Sequence, residues 1–276
     1  MHPFDAVLRT TTGRWRLVVL SLERRLSGDC GHTARGPDGL DWAAQDVDHR
    51  PIDLIFGAGR LDRRISDAEE LLVAYRDDTG TRYLDHVPCT PPDVLVPEDL
   101  SVTILINSRV GPAAFMAVED HAHDLALAAL PDKPLEEADE AQRQRVAELI
   151  AEVAKWPGFA ASVASKVLHK KRPALIPILD NQAIFGAYMN PGWPERRSLM
   201  DSVYAVARIR EAIDWIAFDV TRPQNELTLE RLANVEPTRT RIDLFDMVWW
   251  MYFRKLEPVR PPLPAAPPLP AAPPSA

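Results

Sequence analysis

Beyond residue 96, hydrophobic positions recur at helical spacing over most of the chain. Pro97 opens a segment running through Leu100, Ile104 and Leu105, and Gly111-Pro112 breaks it. Proline suits a first helical turn and disrupts a helix interior. A second helix is expected from Ala113 to about Ala129. A third runs from Glu136 to Lys155, with Val146, Leu149, Ile150 and Val153 on one face. The fourth, Ala160 to Lys171, is stopped by Pro173, because the residue before a proline avoids the helical region. The apolar run Ala174 to Leu179 then leads to Asp180 and a fifth helix ending near Asn190-Pro191-Gly192. Further helices are expected over Glu195 to Asp219, Leu227 to Asn234 and Arg239 to Lys255.

The N-terminal part is less regular. Trp15 to Leu26 fits a strand or a helix start, Gly28 to Pro51 reads as loop, and Arg82 to Pro92 reads as extended. Ser66-Asp67-Ala68-Glu69 has the form of a capping box, with Leu71, Leu72 and Tyr75 following at helical spacing. At the other end PPLPAA occurs twice between Pro261 and Ala272, a composition that favours polyproline II and builds no core. The pattern divides the chain into an irregular segment with one or two helices (1–96), a mainly α domain (97–257) and a disordered Pro-rich tail (258–276). The tail's PxxP spacing offers a weak ligand for an SH3-like partner.

Composition narrows the function. A chain of 276 residues, 46% of them hydrophobic, can bury a sizeable core. Its two cysteines, Cys30 and Cys89, cannot supply a four-cysteine zinc or iron–sulfur site; the function read below expects no metal and no cofactor. His121 and His123 do not share a helix face and read as solvent-exposed. No apolar run approaches the roughly 20 residues of a membrane span, and the run 17–20 is too short for a secretory signal. A reduced, cytoplasmic compartment is the expectation. The formal net charge of −8 argues against wholesale coating of nucleic acid, whose affinity comes from Lys and Arg neutralising phosphates. One stretch runs the other way: Lys155, Lys166, Lys170, Lys171 and Arg172 lie in a segment without acidic residues.

That stretch lies within the most informative part of the chain, Trp156 to Met189. It reads as helix, tight turn at Pro157-Gly158, helix, extended crossing, and Asp180 at the start of another helix. Such a hairpin turns backbone N–H groups and a helix N-terminus outward, which suits an anion. Asp180 follows a proline and apolar residues, which places its carboxylate at the mouth of a partly desolvated pocket. The same Asp180 also reads as a helix N-cap, and Ser162 as a small residue permitting close packing. The basic run also reads as a helix end favoured by the macrodipole.

The segment resembles the signature of the helix-hairpin-helix DNA glycosylase superfamily. Trp156-Pro157-Gly158-Phe159-Ala160 stands at the hairpin, Ser162 at the Lys/Ser position and Asp180, eighteen residues later, at the catalytic Asp. Leu100 to Val118 resembles that superfamily's early helix pair, and Arg109 falls near its DNA-wedging residue. The resemblance implies a two-lobed helical fold for 97–257 and a monofunctional N-glycosylase acting on DNA or a nucleotide, with Asp180 stabilising an oxocarbenium-like sugar and orienting water. Pro157, Gly158, Ala160 and Ser162 would hold a backbone phosphate, and Lys166, Lys170, Lys171 and Arg172 would steer the strand. Ala160 replaces the second hairpin glycine, and Ser162 rules out a Schiff base at its position. SKVLHKKRPALIPILD and the C-terminal Leu-Phe-Asp-Met-Val-Trp-Trp-Met helix are also similar to an uncharacterised bacterial family of unknown function, which carries no activity over. The alternative from another class is a non-catalytic module that keeps this fold and binds DNA or protein, with Asp180 as a cap.

Overall fold

The computed structural model describes residues 53–78, 90–105, 110–196 and 205–256. The expected loop at 28–51, most of the extended stretch 82–92, Arg109 and the Pro-rich tail lie outside the described residues. The described residues are mainly helical, and no helix among them is long and apolar enough to cross a membrane.

A short antiparallel hairpin comes first, β1 (Leu54–Phe56) and β2 (Arg63–Ile65), with Leu54 opposite Ile65 and Phe56 opposite Arg63. It is anchored from outside by side chains. Asn225 donates to the Ile55 carbonyl and accepts its N–H, both at 2.8 Å, as a neighbouring strand would. The bend between the strands carries positive φ at Gly57, Ala58 and Gly59. A Cβ at Gly57 would meet the Leu61 carbonyl at 2.5 Å, so glycine is required there. The N–H groups of Gly57 and Ala58 converge on the fully buried Asp219 carboxylate, which also accepts the Tyr188 hydroxyl at 2.8 Å.

Helix α1 (Ala68–Asp77) starts after Asp67 rather than Ser66, and the Asp67 carboxylate is taken by Lys255 instead of capping. A 3-10 turn, Pro97–Leu100, leads into α2 (Ser101–Leu105). Helix α3 (Pro112–His121) is shorter than its pattern suggests, because the chain beyond it breaks into 3-10 turns at 122–124 and 127–129. Helix α4 (Glu140–Val153) is capped by Asp139, whose carboxylate accepts the Gln142 N–H while Gln142 answers to the Asp139 N–H. Then follow α5 (Ala161–Lys171), a π-helix (Asn181–Tyr188), α6 (Val206–Thr221), α7 (Pro223–Val235) and α8 (Arg241–Leu256).

Helix α4 packs on α5 and α6, while α1 and α7 pack on α8. The junction is aromatic. Tyr188 makes edge contacts with Trp215, Phe245 and Trp249, and Phe56 packs on Phe245 and Trp249 at 4.5 and 5.1 Å between ring centres. Side chains of this size dominate the energetics of a core. This junction fixes the π-helix against α8, and with it the residue that caps the π-helix, Asp180.

Candidate functional site

The site grows from the hairpin between α4 and α5. Gly158 adopts φ +82°, and a Cβ there would lie 3.0–3.3 Å from Ala114 at the start of α3. The glycine therefore serves a close packing contact as well as a left-handed turn. Ala160 is extended at φ −149°, a conformation open to any residue, so the missing second glycine carries no backbone cost. Trp156 and Phe159 stack edge to face behind the turn.

Helix α5 then presents four polar side chains at positions i, i+3, i+4 and i+7, namely Ser162, Ser165, Lys166 and His169. All four are buried. A polar stripe on a helix ordinarily faces water. This one faces inward because the crossing at 176–180 and helix α8 supply its partners. Ser165 Oγ accepts the Leu179 N–H at 2.9 Å. His169 Nδ1 lies 2.7 Å from the Ile176 carbonyl, and its Nε2 lies 3.1 Å from Asp243 on α8. With an acceptor at each nitrogen, the ring is matched as an imidazolium donating to both. Burial works against that charge, but the Asp243 carboxylate outweighs it and holds His169 above the ordinary histidine value. Asp243 is held down in return, against its own burial.

Asp180 closes the stripe. Its Oδ1 accepts the N–H groups of Gln182 and Ala183 at 2.8 and 3.0 Å, the N-cap expected from sequence. Its Oδ2 takes Lys166 Nζ at 3.1 Å and a longer contact from Ser162 Oγ at 3.4 Å. The side chain is 19% exposed, so it stands at the edge of the cluster rather than inside it. Burial pushes this carboxyl up, and the Lys166 ammonium with the two backbone N–H groups more than offsets that, holding it below the usual range. Next in the chain, Asn181 Oδ1 is buried without a hydrogen-bond partner.

The basic run is placed differently from its expected role. Lys171 is buried against Asp99 and also donates to Thr90 Oγ1 and the Pro91 carbonyl. Arg172 is largely covered and donates to the Pro92 carbonyl and Asp93. Lys166 is spent on Asp180. Lys166, Lys171 and Arg172, expected to steer a strand, are thus each engaged by a carboxylate of the protein itself. Lys170 is half-buried. Pro157 and Gly158 are exposed, Ala160 is half-buried, and Ser162 is drawn to Asp180 instead of to the surface. The hairpin and Asp180 are thus brought together, while Arg109 lies outside the described residues.

Two residues of the site were missed in the sequence, Asp243 and Asp246 on α8. Their spacing of three on an amphipathic helix was the available signal, but nothing local says that this face meets α5. His121 and His123 are exposed, and among the described residues no group of His, Cys, Asp and Glu is arranged to hold a metal. Trp249 is buried and donates its indole N–H to the Ala183 carbonyl at 2.7 Å.

No curated protein and no solved structure matches the chain. The model of a family of unknown function, DUF6308, matches residues 74–253, which include the hairpin, Asp180 and nearly all of α8. The chain belongs to this family.

Proposed function

We propose that the chain is a metal-independent hydrolase of an N-glycosidic bond, working on a nucleoside, a nucleotide or an extruded base. The observation that carries this reading is the convergence of Ser162 Oγ and Lys166 Nζ on one oxygen of a partly exposed, ionised Asp180. A carboxylate fixed by two backbone N–H groups keeps its place while an oxocarbenium-like charge develops in front of it. The long Ser162 contact is the one that a substrate water can replace. The unpartnered Asn181 Oδ1 is an acceptor in the same turn. The helix-hairpin-helix resemblance, including its two-lobed arrangement, supports the same reading.

Because Lys166, Lys171 and Arg172 are internal and the chain is acidic, small substrates fit this site better than a long duplex. The cap and ion pair at Asp180 also fit a second reading, a non-catalytic module that binds protein or DNA and uses Asp180 as cap and ion-pair partner. The test is chromatographic detection of free base after incubation with nucleosides, nucleotides and oligonucleotides carrying deaminated, oxidised or alkylated bases. Release of base from one class supports the hydrolase. No release from any of them leaves the module.

A further inference from the structure

Asp180 takes its direction from the turn it caps. Its Oδ1 accepts the Gln182 and Ala183 N–H groups, so the carboxylate follows that turn, and its Oδ2 meets Lys166 Nζ. The Asp180 carbonyl is shared between the Ile184 N–H at 2.9 Å and the Phe185 N–H at 3.3 Å. The helix goes on at π pitch, with the Met189 N–H on the Ile184 carbonyl at 2.9 Å. Helices of this pitch are rare. Side chains hold the carbonyls of this one, Trp249 at Ala183, Asn190 at Gly186 and Arg63 at Tyr188.

Of these, Trp249 acts within the turn that Asp180 caps. Ala183 is gripped on both sides, its N–H by Asp180 Oδ1 at 3.0 Å and its carbonyl by the Trp249 indole N–H at 2.7 Å. Both residues are buried. The indole is wedged in place. Phe56, Tyr188, Trp193 and Tyr252 surround it at 5.1–5.8 Å between ring centres, and the Arg63 guanidinium lies over it at 5.7 Å. An indole N–H only donates, and a buried carbonyl left without its donor costs free energy. Helix α8 also holds His169 of α5 through Asp243, so it braces α5 as well as the capped turn.

We infer that Trp249 is a positioning residue for Asp180: its indole N–H, and not only the bulk of its ring, sets the turn that points the carboxylate at Lys166 and Ser162. Without that N–H the Ala183 carbonyl is buried unpaired. The turn then shifts to find it another donor, and Asp180 moves off Lys166. Any part this placement plays in base release rests on the hydrolase reading, whereas the placement itself needs no substrate.

The experiment replaces Trp249 in the full chain by its benzothiophene analogue, which has sulfur in place of the N–H and keeps the shape of the ring. The assigned 13C carboxyl resonance of Asp180 is then titrated by NMR in both proteins. In the wild type, Lys166 and the two backbone N–H groups hold this carboxyl below the usual range. In the analogue its midpoint is expected to rise toward the ordinary value, while the His169 ring, read in the same samples, titrates as before. An unchanged Asp180 midpoint overturns the inference, and so does a shift shared by His169, which reports general loosening. The wild type supplies a second measurement: its Trp249 indole N–H is expected to exchange with heavy water far more slowly than an exposed indole, and free exchange overturns the inference as well. In a base-release assay the hydrolase reading expects the analogue to lower kcat with KM held. A raised midpoint with release at the wild-type rate removes Asp180 from catalysis and leaves the role of Trp249 standing.

Discussion

Lys166 Nζ stands 3.1 Å from Asp180 Oδ2, with the two side chains only 10% and 19% exposed. The pair joins the middle of α5 to the start of the π-helix, and it changes what a substitution at Asp180 means. A simple N-cap tolerates Asn in place of Asp. A capping residue that also neutralises a buried ammonium does not.

Asp180→Asn is therefore expected to lower stability by about 3 kcal/mol, the low end for breaking a buried ion pair, because the pair is not fully enclosed. Adding Lys166→Met removes the ammonium that Asn leaves behind, so the double variant is expected to recover much of the loss. Urea denaturation of the two single variants and the double gives the coupling directly. Additive losses would show that the pair contributes nothing.

Lys171→Glu sets a negative charge against the buried Asp99 carboxylate. A loss of about 3–5 kcal/mol is expected, as for other disrupted buried pairs. In circular dichroism melting, the variant should unfold well below the wild type or fail to fold. Unchanged melting would place Lys171 at the surface and restore it as a phosphate contact.

The hairpin separates two positions that look alike in sequence. Gly158→Ala combines a left-handed backbone with a contact to Ala114 backbone, and should cost more than about 1 kcal/mol. Ala160→Gly sits in extended backbone and should cost at most about 1 kcal/mol, through chain entropy alone. Chemical denaturation of both checks the order, and equal effects would contradict it.

Stability should depend on pH from both sides of the cluster. Asp180 and Asp243 are held below the ordinary carboxylate value, so their contribution is present above about pH 4 and lost as pH falls through their folded values. His169 is held above the ordinary histidine value. Its contribution is fully present below about pH 6.5 and lost as pH rises through its folded value. His169→Gln should flatten the alkaline limb of a melting-temperature profile. A wild-type profile level from neutral to alkaline pH would contradict the imidazolium assignment.

The local features of this site were legible. Pro173 ends α5, Gly158 makes the turn, and Asp180 caps the next helix, each a short-range consequence of neighbouring residues. Lys166 stood out in the sequence as part of a basic run, but the side of α5 that it faces did not. Whether Ser165, Lys166 and His169 meet water or protein depends on Leu179, Asp180 and Asp243, and no local rule ties Asp243 to α5. The partner of Lys171 was hidden for the same reason, since Asp99 precedes it by half a domain. Strands β1 and β2 are three residues each, too short to show a period, and their pairing is completed by Asn225 from α7.

The most direct test of the hydrolase reading compares base release by the wild type with that by the Lys166→Met/Asp180→Asn double variant. The compensated variant is expected to fold, so a change in its rate reports on the Lys166–Asp180 pair rather than on unfolding. The expected result is release by the wild type and a fall of several orders of magnitude in kcat/KM for the folded double variant. Release at the wild-type rate from the folded double variant would contradict it.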